Sequence, residues 1–117
     1  MQVIDIDAGS LRDWLAQSNN AGWPRSCGHC PVALFLDEIE SSEHFVDRDT
    51  HGLYRAGLIA HSEPTARLDP GECKLLPQWA QHFISEIDAV EEECLEPRPV
   101  SGIFGMGVLD WALEEGR

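Results

Sequence analysis

Cys27-Gly28-His29-Cys30-Pro31-Val32-Ala33-Leu34-Phe35-Leu36 is where a linker containing Gly and Pro turns into the first strongly apolar run of the chain. Proline fits the first position of a helix, where a missing backbone N–H costs nothing. The stretch therefore predicts a helix that starts near Cys30. Val32, Phe35, Leu36 and Ile39 recur at i, i+3, i+4 and i+7, which defines one buried helical face and carries the helix to about Ser41. The other elements read as packing around it.

Upstream, Ser10 has the chemistry of an N-cap, with Asp13 three residues on as a short capping-box partner. Leu11, Trp14 and Leu15 make one apolar stripe, and Asn19-Asn20-Ala21-Gly22 reads as a stop signal. The expectation is a short helix over about 10–18, with Val3, Ile4 and Ile6 forming either a brief strand or a staple against it. Trp23-Pro24-Arg25-Ser26 reads as linker.

Downstream the periodicity changes. Phe45-Val46, Leu53-Tyr54 and Leu58-Ile59 come in short pieces separated by the turn signals Asp49-Thr50-His51-Gly52, Ala56-Gly57 and Glu63-Pro64. This predicts a two- or three-stranded antiparallel sheet with strands near 44–48, 52–56 and 58–62. After the Asp69-Pro70-Gly71 turn, Leu76, Trp79, Ala80, Phe83, Ile84, Ile87 and Val90 hold a helical period over about 77–93, starting at Pro77. His82 falls toward its polar side. Pro97 and Pro99 break the chain. Ser101 then caps a last helix, with Phe104, Val108, Trp111 and Ala112 expected on its buried face. Gly102, Gly105 and Gly107 each weaken that helix by about 1 kcal/mol relative to Ala, and they permit close packing on a neighbour. The fold class is α+β: about four helices packed around a small two- or three-stranded antiparallel sheet, in a single domain spanning 1–117.

The formal net charge of −13 disfavours direct binding to nucleic acid or to an anionic membrane surface, because both draw on positive protein surface. No run approaches the roughly 18 apolar residues of a membrane span. The acidic first residues lack a signal-peptide core, so the expected location is the cytoplasm. Cysteines at 27, 30, 73 and 94 show no repeated pairing pattern, which favours reduced thiols.

Chemistry-bearing motifs are few. Cys27-Gly28-His29-Cys30 has the spacing of a dithiol motif at a helix start, where a thiol is activated, but neither a buried strand before it nor a βαβ pattern after it is in evidence. The same pair has the bite of a zinc knuckle without a second tight pair to complete the site. Cys30 is therefore read first as a cap and packing residue. Asp47-Arg48-Asp49-Thr50-His51-Gly52 opens like a calcium loop, yet His51 replaces the third oxygen ligand and Leu58 stands where the bidentate Glu belongs. It reads as a hairpin turn. The sequence contains no H-E-x-x-H, no G-x-S-x-G and no P-loop. The expectation is accordingly a protein that is not an enzyme and holds no cofactor.

Cys30-Pro31-Val32-Ala33-Leu34-Phe35-Leu36, then His44-Phe45-Val46-Asp47, then Leu76-Pro77-Gln78-Trp79-Ala80 resembles a set of small uncharacterised bacterial and phage proteins. Their pattern is Cys-Pro-Leu-Ala-x-Tyr-Leu, a short strand pair, Leu-Pro-x-Trp-Ala and a final helix. The resemblance spans about 30–113. It implies an α+β domain of mobile-element origin and carries over no catalytic residue. This chain departs from the pattern in its extra Cys27 and its acidic load.

That load is patterned. Asp37, Glu38, Glu40, Glu43, Asp47 and Asp49, less Arg48, give −5 over 37–49, and Glu86, Asp88, Glu91, Glu92, Glu93 and Glu96 give −6 over 86–96. Together they supply 11 of the 13 net negative charges. Both clusters fall at predicted helix C-termini, where the macrodipole disfavours anions by about 0.3–1 kcal/mol each. The expectation is an acidic interaction protein that presents carboxylates in place of phosphates. It would inhibit a basic, nucleic-acid-binding host protein of the CRISPR or restriction type. The expected partner-binding residues are Glu86, Asp88, Glu91, Glu92 and Glu93, then Asp37, Glu38, Glu40 and Glu43. The alternatives are a small zinc or thiol-redox protein centred on Cys27 and Cys30, and a homodimer formed through Trp79, Trp111 and Phe104.

Overall fold

The computed structural model describes residues 2–24, 26, 28–58, 73–92 and 99–115. Four helices, α1 (Ala8–Ala16), α2 (Pro31–Glu40), α3 (Gln78–Glu92) and α4 (Gly102–Glu115), pack with strands β1 (His44–Arg48), β2 (Tyr54–Leu58) and β3 (Lys74–Leu75). The sheet is antiparallel in the order β1-β2-β3, which makes the fold α+β. One core runs through all of it, from Leu11 and Leu15 of α1 through Val32, Phe35 and Leu36 of α2 and Phe83, Ile84 and Ile87 of α3 to Leu109 and Ala112 of α4.

α2 begins as the sequence dictates. Pro31 occupies the first turn, and the Cys30 sulfur accepts the Ala33 N–H at 3.4 Å, so Cys30 is the N-cap and is itself buried. Val32, Phe35 and Leu36 are buried, but Ile39 is 53% exposed. The buried residues of α2 end at Leu36, so its last turn stands outside the core and Ile39 is only about half covered. α1 starts earlier than the Ser10 cap predicted. Asp7 is the N-cap and accepts both the backbone N–H and the hydroxyl of Ser10, at 3.0 and 3.1 Å. Asp caps as well as Ser does, and the helix gains two residues at its start while ending at Ala16.

The first strand lies where it was expected, over 44–48, but the second is shifted to Tyr54–Leu58. Ala56-Gly57 is therefore part of a strand and not a turn. Gly57 pairs with Phe45, and a Cβ on it would lie 2.7 Å from the Phe45 ring. The glycine supplies clearance for the aromatic ring, the meaning that a glycine inside a strand often has. The strand expected at 58–62 lies outside the described residues beyond Leu58, and the third strand of the sheet is Lys74–Leu75. Val3 bridges Leu75 in parallel, with Ile4 donating to the Leu75 carbonyl at 2.8 Å and Leu75 to that of Gln2 at 2.9 Å. The N-terminal segment thus extends the sheet.

α3 matches its expected range within a residue at each end. Leu76, Ala80, Phe83, Ile84 and Ile87 are buried and Trp79 is half-buried. α4 corrects its expected face. Ser101 does cap it, accepting the Phe104 N–H at 3.1 Å. Its inward face, however, is Gly102, Gly105, Val108, Leu109 and Ala112, while Phe104 and Trp111 turn outward. A Cβ on Gly102 would lie 2.0 Å from the Leu15 carbonyl oxygen, and one on Gly105 2.9 Å from a Leu15 methyl. The two glycines let α4 lie directly on α1, and that close seat selects which face is buried. The bidentate Arg12–Asp110 pair, at 3.0 and 3.3 Å, joins the same two helices at the surface. The hydrogen bond raises the Arg12 pKa and lowers that of Asp110.

Candidate interaction surface

The acidic segment 37–49 surrounds a histidine. His44 opens β1 and is 3% exposed. Its Nδ1 lies 3.1 Å from an Asp37 carboxylate oxygen and 2.9 Å from the Ser42 carbonyl, and its Nε2 lies 2.8 Å from Glu40. The same Asp37 oxygen accepts the His44 backbone N–H. Ser41, in the left-handed conformation at the C-cap of α2, turns the chain so that residue 44 reaches back to residues 37 and 40. Glu38 accepts the Trp14 indole N–H across α1 and α2. Glu43 is exposed. Asp37, Glu38 and Glu40, expected as partner-binding residues, therefore also bond within their own chain.

The rest of the segment forms the hairpin. Asp47 lies 3.9 Å from Arg55 on β2. Asp49 accepts the backbone N–H groups of His51 and Leu53 at 2.9 and 3.0 Å, which closes the turn. The Leu53 N–H, then that of His51, holds the Asp49 carboxyl below its ordinary value. A hairpin turn is what the failed calcium-loop motif had predicted.

On the second segment, Asp88 accepts the Tyr54 hydroxyl at 3.1 Å. Tyr54 opens β2, and the Arg48 guanidinium lies 5.8 Å from its ring centre. A cavity of about 160 Å³ is bordered here by Cys30, Asp47, Arg48, Tyr54 and Asp88. Burial first, then the Asp88 charge and hydrogen bond, pushes the Tyr54 pKa up to about 12. Glu86, two residues earlier on α3, instead faces α4. Glu91 and Glu92 fall in the last turn of α3 and Glu93 follows it; the side chains of the first two and the whole of the third lie outside the described residues.

The two clusters do not merge. His44 with Asp37 and Glu40 marks one end of the β1–β2 ladder, and Tyr54 with Asp88, opposite Arg48, marks the other. Four strand steps separate these ends by about 14 Å. Of the acidic side chains of the first segment, only Asp47 borders the same cavity as Asp88. Further acids take comparable positions. Asp13 falls in the last turn of α1, and Glu114 and Glu115 in that of α4. Asp13 is therefore not the capping-box partner that a Ser10 cap implies, because the cap is Asp7 and the helix ends at Ala16.

The cysteine motif contributes one described residue, because Cys27 lies outside the described residues. Cys30 is engaged as the α2 cap, and among the described residues no group of three or more His, Cys, Asp or Glu side chains is placed to hold a metal ion. Among the described residues, too, no helix is long and apolar enough to cross a membrane. No family model, no curated protein and no solved structure matches this chain.

Proposed function

We propose that this chain is an acidic, non-enzymatic interaction protein that engages a positively charged surface of a nucleic-acid-binding protein. We further propose that it acts as an inhibitor of phage or mobile-element origin, of the anti-CRISPR or anti-restriction type. The observation that carries this reading is the arrangement of charge on the helices. All four have acid in the last turn, none has a basic residue there, and none has acid in its first turn. Acid there opposes the helix macrodipole at every C-terminal end, at a cost of about 0.3–1 kcal/mol for an exposed charge, and only α1 has a favourable acid at its start, the Asp7 cap. A solubility requirement is met by acid anywhere on the surface; acid gathered where it opposes the dipole supports selection for a partner. The internal bonds of Asp37, Glu38, Glu40 and Asp88 shift the weight of the contact toward Glu91, Glu92 and Glu93.

The test is a pull-down from a bacterial host lysate on the intact chain, repeated with Glu91→Lys/Glu92→Lys/Glu93→Lys. A basic nucleic-acid-binding protein should be retained, released by salt and by competing DNA, and lost with the triple variant while its circular dichroism stays unchanged. Retention of the same protein by the triple variant would remove this patch from the contact.

A further inference from the structure

α4 is apolar on two opposite faces. Its inward face is closed against α1 and the core, yet outward Ile103 is 86% exposed, Phe104 42% and Trp111 40%. A surface helix ordinarily turns a polar face to water. These three residues, with Val108, Gly107 and Glu86 of α3, line a groove of about 280 Å³ between α3 and α4. Gly107 leaves its floor open, since a Cβ there would meet no atom within 4 Å. Trp111 makes a T-shaped contact with His82, with ring centres 6.5 Å apart. From Ile103 to Trp111 the groove runs eight residues of helix, about 12 Å, which suits apolar anchors spaced at i, i+4 and i+7 on an opposing helix.

We infer that this groove seats a helical segment of a partner protein that carries one apolar stripe flanked by Lys and Arg. The inference rests on the acidic reading above for the sign of the partner's charge. Glu86 borders the apolar floor, and the chain as a whole carries −13. A cationic helix gains both contacts at once, whereas a second copy of this chain would bring −13 against −13.

Calorimetric titration of the full chain with three synthetic peptides, each about five helical turns long, tests this. The first carries a leucine stripe flanked by Lys and Arg. The second has the same composition with the leucines scrambled, and the third keeps the stripe but replaces the basic residues with Glu. The first should bind at least about tenfold more tightly than the other two, and Ile103→Ser/Phe104→Ser should weaken it at least about tenfold. Ile103 is largely exposed and Phe104 partly so, and circular dichroism checks that the variant folds. If both basic peptides bind equally and are equally released by salt, the groove assignment falls and the acidic reading stands. Equal binding of the first and third peptides overturns the basic occupant and the acidic reading with it. Failure of the first peptide to bind, or its indifference to the double substitution, overturns the groove. A concentration-dependent dimer of the intact chain that is lost in the double variant would give the groove to a second copy and overturn the proposal.

Discussion

Two side chains show how this molecule spends its acid locally. Tyr54 is the sole tyrosine of the chain, so tyrosinate absorbance reports on it alone. Its phenol should ionise near 12 instead of 10.0, and Asp88→Asn should lower that value only part of the way, because burial is the larger cause. A raised pKa means that the fold favours the neutral phenol. The associated stability is complete below the ordinary tyrosine value and drains away as pH climbs through about 12. Titration near 10.0 in the native protein would show that neither the burial of the phenol nor the Asp88 contact persists. His44 makes the same point with two carboxylates and a carbonyl around a nearly fully buried ring. His44→Leu keeps much of the volume and removes every ring hydrogen bond, so it should cost about 1.5–3 kcal/mol in denaturant unfolding. His44→Gln, which retains a donor, should cost less. Equal losses would mean that the site is held by packing and not by Asp37 and Glu40.

At the level of elements, the glycines of α4 separate propensity from packing. Gly107→Ala should stabilise the protein by about 0.5–1 kcal/mol, since Ala is the better helix former and the added methyl meets nothing within 4 Å. Gly102→Ala should destabilise, because its methyl would collide with backbone oxygens of Leu15 and Ser18 that have no room to retreat. Gly105→Ala should fall between them, because the atom in its way is a Leu15 methyl that can rotate. Thermal unfolding of the three variants gives the order directly, and a stabilising Gly102→Ala would disprove the close α1–α4 seat. The same residues show what was legible in the sequence. α2 was readable because its cap, proline and apolar period agree with one another, and α3 because its proline and apolar period do. The face of α4 was not, because that helix is apolar on two opposite faces and glycine, which hydropathy ranks low, is what selects the buried side. Gly57 misled for a related reason: glycine marks turns and close approaches alike, and the Phe45 ring that needs the clearance lies twelve residues away. Pairing of Gln2–Ile4 with Leu75 joins distant segments, and nothing local announces it. For the candidate site, the acid clusters were visible as charge runs, but their internal bonds to His44, Trp14 and Tyr54 depend on tertiary contacts.

On the scale of the whole molecule, opposing electrostatic terms compete, and salt distinguishes them. The internal pairs Arg12–Asp110 and Asp47–Arg55 stabilise the fold and weaken when screened, whereas the mutual repulsion of a −13 chain destabilises it and is relieved by screening. Exposed pairs contribute at most about 1 kcal/mol each. Repulsion acts among many charges over distances that a Debye length of about 30 Å at 10 mM salt leaves coupled and one of about 8 Å at 150 mM does not. Repulsion should therefore win, and the denaturation midpoint should rise between those two salt concentrations in a non-binding salt such as sodium chloride. Glu91→Lys/Glu92→Lys/Glu93→Lys changes the net charge by three times +2, from −13 to −7. The triple variant should be more stable than the parent at low salt, and its salt response should be smaller. These measurements need no partner, so they examine the premise of the proposed function by itself: acid at the end of α3 burdens the free protein and is relieved by positive charge. If the midpoint instead falls with added salt, or if the triple variant is no more stable at low salt, the carboxylates are already balanced within the chain and a basic partner has nothing to relieve.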